Sequence, residues 1–305
     1  VVAYTAFGGT KIVSITQRYQ ILIIFVGMAL AFIIAVHRLP AGLSFGRALS
    51  VAGGMGKLQA VDFSLDPDRR YTFWSGIFGG FFLALSYFGA DQSQVQRYLA
   101  GGSLTASRFG LLFNAVVKVP MQFLILLLGA MVFLFYQFEK PPIYFNRPAY
   151  DRAIALGHGA ELNELQAEFD DVFARKRDLL NSSGVNSAFN RASREGGSRQ
   201  EILQLDAKAR ELRDRVKVIL ERAGASPKSK DSDYVFITFI LQHLPHGVVG
   251  LLIAVILCAT MSATSATLNA LGSTSAVDFY RPLIRPNAPD HHYVVATELL
   301  TIAWG

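Results

Sequence analysis

The stretch from Leu251 to Tyr280, LLIAVILCATMSATSATLNALGSTSAVDFY, constrains the fold more than any other part of this sequence. It begins with nearly uninterrupted apolar residues and then becomes dense in hydroxyl groups, and no side chain from Leu251 to Val277 is charged. A helix needs about 20 mostly apolar residues to cross a bilayer. Hydroxyls at membrane depth can bond to the carbonyl four residues earlier, hold a neighbouring helix, or ligate a hard cation. The stretch predicts a spanning helix on which Ser262 and Ser265 share a face with Ala259.

The composition supports an integral membrane protein. Hydrophobic residues make up 51% of the 305 residues and charged residues only 17%, and the mean hydropathy is +0.33. The net charge of +6 is not clustered as on a nucleic-acid-binding face, so no nucleic-acid partner is predicted. The lone Cys258 excludes a disulfide framework, and the histidines lack metal-site spacing with acidic partners. No catalytic constellation stands out, and we predict that the chain is not an enzyme.

The apolar blocks predict a series of membrane helices. Residues 1–10 are interpreted as the tail of one helix that stops at Gly8-Gly9, and residues 38–70 as a connector with room for a short interfacial helix. Ser103 or Thr105 is expected to cap the third span. The five predicted spans are 12–36, 71–95, 109–136, 234–272 and one from 293 that continues to the end of the sequence.

Residues 138–233 differ in composition from everything around them. They contain 16 of the 23 acidic residues and 17 of the 29 basic ones. Two runs keep helical spacing, around Leu162–Phe173 and Leu205–Ile219, and a linker-like piece lies between them. We predict an extramembrane, amphipathic helical hairpin, since no catalytic motif occurs in it.

The most polar group attached to a membrane helix is formed by Asp91, Gln92, Gln96 and Arg97. Ionisable residues inside a membrane are costly and indicate function by default. The structural alternative is that Asp91 pairs with Arg97 or Lys118, or that the helix has reached the lipid headgroups. For Lys118, the structural alternative is that its long side chain extends to the membrane surface and keeps its ammonium in water. For Ser262 and Ser265, the alternative is ordinary bonding to the carbonyl four residues earlier.

Four stretches of the sequence resemble the sodium:solute symporter family. They are AYTAFGGTKIVSITQRYQ, YFGADQSQVQRYLAGGSLTASRFGLLFN, FYQFEKPPIYFN and MSATSATLNALGSTSAVDFYRPL. The resemblance implies an all-α polytopic membrane protein, part of an inverted-repeat (LeuT-like) transporter core, with the charged region as an extramembrane helical insert. Residues 1–137 would supply the end of the fourth and the fifth to seventh core helices. Residues 138–233 would be the insert, and 234–305 the eighth core helix and the start of the ninth. Both ends of the sequence look cut, so we expect a fragment.

The resemblance also implies the site residues. In the family, sodium is held by a backbone carbonyl and hydroxyls of the eighth core helix, which correspond here to the Ala259 carbonyl, the Ser262 hydroxyl and position 263. Ser265 matches the family's pattern for a second sodium. Asp91, Gln92 and Gln94 fall where the family lines its solute path. Ala263 and Gln17 depart from the pattern, because many members have a hydroxyl at the first position and an aspartate at the second. We therefore expect one sodium ion per cycle, weakly held.

The function predicted from this resemblance is sodium-coupled symport of a small organic solute, a sugar, amino acid or carboxylate, by alternating access. The expected partners are sodium, the solute and the lipid bilayer, in the cell inner (plasma) membrane. Two alternatives remain open: a proton-coupled or uncoupled transporter of the same fold, and a sensor that uses a transporter-like input domain. Basic residues around 11–18, 97–108 and 281–285 narrowly favour a cytoplasmic location for those ends, which places the insert outside.

Overall fold

The computed structural model describes residues 1–40, 43–58, 61–66, 68–69, 72–99, 103–182, 197–225 and 230–305, without the side chains at 7, 9–13, 99, 182, 197 and 198. Regular structure in this part of the chain is helical throughout. The helices before the charged region are α1 (Val2–His37), α2 (Phe45–Gly54), α3 (Phe73–Leu85), α4 (Gln92–Leu99) and α5 (Leu104–Phe138). The helices within the charged region and after it are α6 (Arg147–Ala153), α7 (Gly159–Ser182), α8 (Gly197–Arg222), α9 (Ser232–His243), α10 (His246–Thr274), α11 (Arg281–Leu283) and α12 (Asp290–Trp304).

Among the residues that the structure describes, four helical segments are long and apolar enough to cross a membrane: Ser14–His37, Phe73–Ala90, Leu104–Phe138 and His246–Leu283. They overlap the first four predicted spans, and the all-α polytopic fold class is confirmed. No residue of Phe73–Ala90 is buried, and large side chains such as Phe78 and Phe82 are exposed along it. Apolar side chains on the outside of a helix are costly in water and favourable in lipid, so these surfaces fit a bilayer.

Two details of the predicted helices are wrong. The predicted stop at Gly8-Gly9 is absent, because α1 continues from Val2 to His37 without a break. Glycine weakens a helix by only about 1 kcal/mol and keeps its backbone N–H donor, so it does not force a stop. The predicted fourth span does not start near residue 234, since α9 ends at His243 and α10 begins at His246, after Pro245. Proline lacks the N–H donor that a helix interior needs and is tolerated in a first turn.

Other local predictions are confirmed. The connector after α1 contains the short helix α2. The Ser103 hydroxyl oxygen accepts a hydrogen bond from the Ala106 backbone N–H at 3.1 Å and so caps α5. The apolar runs of the charged region form the facing sides of α7 and α8, with Leu162, Phe169, Leu212 and Val216 in one buried cluster. The linker-like sequence between these helices lies outside the described residues.

Contacts divide the chain into two compact units. The first contains Val1–Met28, Val61–Phe123 and Gly247–Gly305, and the second contains Ala29–Ala60 and Leu124–His246. The predicted site residues all lie in the first unit, and the α7–α8 hairpin lies in the second.

Candidate cation and solute sites

Most hydroxyls of α10 that the sequence singled out are bonded within their own helix. The Thr260 hydroxyl donates to the Ile256 carbonyl oxygen at 3.0 Å, and the Thr264 hydroxyl to the Thr260 carbonyl oxygen at 3.0 Å. The Thr267 hydroxyl donates to the Ala263 carbonyl oxygen at 3.3 Å. These three side chains are exposed on an apolar helix, where bonding to the carbonyl four residues earlier satisfies the hydroxyl donor. Such hydroxyls need no ligand.

Ser262 differs from these neighbours. Only 3% of the residue is exposed, and its hydroxyl oxygen is buried with no hydrogen-bond partner among the residues that the structure describes. Buried polar atoms are nearly always satisfied, so an unsatisfied one requires an explanation such as an ion. A hydroxyl oxygen is a hard donor that suits a hard cation, which fits the predicted role of Ser262.

Ala259 and Ser265 flank Ser262 on the same helix face. Ala259 is half-buried, and Ser265 is fully buried. The Ser265 hydroxyl donates to the Met261 carbonyl oxygen at 2.8 Å. This bond occupies the single proton of the hydroxyl and leaves lone pairs on its oxygen, so Ser265 retains the capacity to ligate a cation.

Ala263 and Gln17 are the two positions that depart from the family pattern. Ala263 is exposed and has no side-chain donor. Gln17 is half-buried on α1, and its side-chain oxygen accepts a long hydrogen bond of 3.4 Å from the Arg97 guanidinium. The structure therefore places a neutral acceptor beside Arg97.

Asp91 caps a helix. It has an extended conformation between the π-helical turn Ser86–Ala90 and α4, and its carboxylate accepts from the Ser93 backbone N–H at 2.9 Å and the Ser93 hydroxyl at 2.7 Å. Aspartate in this position satisfies an N–H group that the first turn of a helix leaves free. Asp91 thus breaks the helix at a predicted solute-path position, as in the broken helices of transporters.

Gln94 is the only predicted solute-site residue that lines a described cavity. The cavity has a volume of about 430 Å³ and contains Arg97, Asn114 and Lys118 in its wall. The Lys118 ammonium lies 5.8 Å from the centre of the Tyr87 ring. Gln92 is exposed, and neither it nor Asp91 lines this cavity.

Gln96 and Asn269 connect the predicted solute helix to the predicted cation helix. The Gln96 amide donates to the Ala266 carbonyl oxygen at 3.5 Å, and the Asn269 amide donates to the Gln96 side-chain oxygen at 3.4 Å. These bonds are long, but together they join α4 to α10 one turn after Ser262. Gln96 is polar in the sequence and was assigned to no site, and its contact with a residue 173 positions away leaves no signal in sequence spacing.

No group of three or more histidine, cysteine or acidic residues able to hold a metal ion occurs in the described part of the chain. His243 instead packs edge-on against Phe135, with ring centres 4.8 Å apart.

These features define a class of protein: a helical multi-pass membrane protein with buried hydroxyl oxygens on one spanning helix. Within this class, residues 215–304 match the sequence model of the sodium:solute symporter family. This segment includes all of α10. The predicted resemblance to that family is therefore confirmed.

The chain is also similar to curated transporters. It is 38% identical over 138 residues to the sodium-dependent multivitamin transporter of Oryctolagus cuniculus, a match covering 44% of this chain and 21% of that protein. It is 33% identical over 153 residues to the sodium/iodide cotransporter of Homo sapiens, covering 50% and 23%. It is 37% identical over 113 residues to the sodium-coupled monocarboxylate transporter 1 of Homo sapiens, covering 37% and 18%.

These relatives are transporters and not enzymes, as predicted. The chain spans about a fifth of the length of the curated relatives it matches. No solved structure gives a significant match.

Proposed function

We propose that the protein containing this chain is a sodium-coupled symporter that moves a small organic solute across the cell inner (plasma) membrane by alternating access. The family match over α10, the names of the sodium-dependent relatives and the four apolar helices support this proposal. In this mechanism, bound sodium favours the outward-open state and so raises the affinity for solute. Thermodynamic linkage requires the solute to tighten sodium binding by the same factor.

The observation that carries the proposal is the hydroxyl oxygen of Ser262, which is buried and has no hydrogen-bond partner within the described part of the chain. We assign sodium to the Ala259 carbonyl and the hydroxyls of Ser262 and Ser265. Neighbouring hydroxyls of α10 are exposed and bonded to their own helix, so burial without a partner distinguishes Ser262 from residues of the same chemistry. With no hydroxyl at Ala263 and no carboxylate at Gln17, the site has few protein donors, which favours one weakly held sodium ion per cycle.

We assign the solute path to Asp91, Gln92 and Gln94. A broken helix at Asp91 supports this, because transporter substrate sites lie where helices are interrupted. The charged residues that line the cavity beside Gln94 are Arg97 and Lys118, both cations. Among sugars, amino acids and carboxylates, this charge favours a carboxylate.

The test is uptake by the intact protein in proteoliposomes, with labelled sugars, amino acids and carboxylates, with and without an inward sodium gradient. We expect sodium-dependent accumulation that Ser262→Ala reduces about tenfold or more, as expected when one ligand of a weak site is lost. Thr260→Ala is the matched control, since it removes a hydroxyl bonded within the same helix. Equal losses in both variants would remove the assignment of sodium to Ser262.

Two other outcomes select the alternatives. Accumulation that ignores sodium but follows a proton gradient, or no accumulation above equilibrium, would favour a proton-coupled or uncoupled transporter. Binding of a solute without any uptake would favour a sensor with a transporter-like input domain.

A further inference from the structure

A second cavity, outside the sites described above, lies within the second compact unit. It has a volume of about 260 Å³ and is walled by the last turns of α5, the loop that follows, and the facing sides of α7 and α8. Its aromatic residues are Phe133, Tyr136, Phe145, Phe169 and Phe173. A concave, mainly apolar cavity with a few polar groups is the usual form of a small-molecule site.

The charged residues in the wall of this cavity are mostly cations. They are Lys57, Lys176, Asp206, Arg210 and Arg213. Asp206 is already shared, since one of its oxygens lies 3.2 Å from the Lys176 ammonium and the other 3.4 Å from the Arg210 guanidinium. A single carboxylate thus faces four cations, and the wall carries an excess of positive charge.

Lys176 is the most buried of these cations. Its side chain is 6% exposed, and its ammonium also donates to the Gln137 side-chain oxygen at 2.9 Å. Burial lowers the pKa of Lys176, and Asp206 only partly opposes this effect. A buried cation that is incompletely compensated is stabilised by a further negative charge nearby.

Arg213 supplies the least satisfied donor. Its Nε atom is buried with no hydrogen-bond partner in the part of the chain that the structure describes, and an Nη atom donates to the Pro142 carbonyl oxygen at 3.5 Å. Its guanidinium lies 5.5 Å from the centre of the Phe145 ring and 5.2 Å from that of Phe169. The Asp231 carboxylate also attracts the Arg213 guanidinium electrostatically. One Asp231 oxygen, however, already accepts hydrogen bonds from the backbone N–H groups of Phe145 and Asn146.

Lys57 adds a cation that an incoming ligand can reach. It is exposed, its ammonium lies 4.7 Å from the centre of the Phe133 ring, and no carboxylate pairs with it among the described residues. Aromatic rings beside lysine and arginine can hold the flat apolar part of a ligand while the cations hold its charge.

We infer that this cavity binds a small organic anion, with a carboxylate or phosphate group held by Lys57, Arg210 and Arg213 and an apolar part held by the phenylalanine rings. The cavity size suits a ligand with a single ring. This inference does not depend on sodium coupling, because none of the residues assigned to sodium or to the solute path lines the cavity.

The experiment is calorimetric titration of phenyl phosphate and benzoate into the intact protein in phosphatidylcholine nanodiscs, with benzyl alcohol as the uncharged probe. We expect at least one of the two anions to bind and benzyl alcohol to bind at least tenfold more weakly. Lys57→Gln should weaken binding of the anion several-fold without affecting folding, since Lys57 is exposed. Arg213→Gln should weaken it further.

Lys217→Gln is the matched control for charge, because Lys217 is an exposed residue of α8 that pairs with Glu221 away from the cavity. Binding of neither anion, equal binding of benzyl alcohol, or equal effects of Lys57→Gln and Lys217→Gln would overturn the inference. Adding phosphatidylglycerol to the nanodiscs separates two sources of the anion. If phosphatidylglycerol weakens the binding of phenyl phosphate, and Lys57→Gln removes this competition, the occupant is a lipid phosphate. If phosphatidylglycerol leaves the binding of phenyl phosphate unchanged, the occupant is a soluble anion.

Discussion

Gly272 of α10 packs against Thr297 and Thr301 of α12. A Cβ atom at this position would collide with the Thr301 hydroxyl and lie 3.1 Å from the Thr297 carbonyl oxygen. The backbone oxygen cannot rotate away, so the helices would have to separate. Small residues at such crossings allow the close helix packing that replaces hydrophobic burial inside a membrane.

We expect Gly272→Ala to destabilise the protein by about 1–3 kcal/mol, the usual cost of overpacking. The midpoint of thermal unfolding in detergent measures it. Gly250→Ala is the control, because a Cβ atom there meets nothing within 4 Å and alanine favours a helix. Equal unfolding midpoints for the two variants would contradict the close crossing at Gly272.

Lys176 and Asp206 give a second prediction for single residues. Asp206→Ala leaves the buried Lys176 ammonium without its carboxylate, which typically costs about 3–5 kcal/mol. Lys176→Met removes the buried charge and keeps the length of the side chain, so its cost should be much smaller. Denaturant unfolding of the purified variants compares them. A loss in Lys176→Met as large as that in Asp206→Ala would show that the ion pair is not what stabilises this position.

At the scale of helices, the contact of Gln96 with Ala266 and Asn269 joins α4 to α10. If α10 holds sodium and α4 borders the solute path, this contact is a direct route for coupling between the two ligands. A coupling of this kind is measured as the fold-change in solute affinity that sodium produces.

We expect Gln96→Ala and Asn269→Ala each to reduce this fold-change severalfold while uptake at saturating sodium persists. The double variant should be little worse than either single one, because both remove the same contact. Solute titrations at low and high sodium measure this fold-change for the wild type, the two single variants and the double variant. Strictly additive effects would show that the two amides act independently.

At the scale of the whole molecule, the spans fix which segments share a side of the membrane. The apolar helix α10 and its continuation to Leu283 lie between the charged insert and Arg285. If this helix crosses the membrane once, we expect the charged region and Arg285 on opposite sides, and the basic residues near the other ends favour the outside for the charged region.

Cysteine labelling tests this arrangement. Cys258 is the only cysteine, so Cys258→Ser gives a background without thiols. Into it we would introduce Arg222→Cys and Arg285→Cys, both at exposed positions. In intact cells, a maleimide that cannot cross membranes should label position 222 and spare position 285, and permeabilised cells should show both. The reverse pattern would invert the orientation, and equal labelling in intact cells would contradict the single crossing.

The sequence by itself determined the positions of the spans, the helical hairpin and the family resemblance. Apolar runs and helical spacing are local properties, and they decide which residues a helix presents to lipid or to a partner helix. Lys176 follows Phe169 and Val172 on the same apolar face of α7, so its burial was readable from spacing alone. Pro245 was a readable signal for the break before His246, but the predicted fourth span ran across it, and the glycines at Gly8-Gly9 predicted a stop that α1 does not have.

Only the tertiary structure decided which polar groups are satisfied. Ser262 and Thr264 are similar in sequence terms. The Ser262 hydroxyl is buried with no partner among the residues that the structure describes, whereas Thr264 is exposed and bonded to its own helix. The hydrogen bond between Gln96 and Asn269 joins residues far apart in the chain. The cavity lined by both Lys176 and Arg213 is likewise formed by distant segments. Hydrogen-bond satisfaction depends on what covers each atom, and helical periodicity carries no information about which distant segment provides that cover.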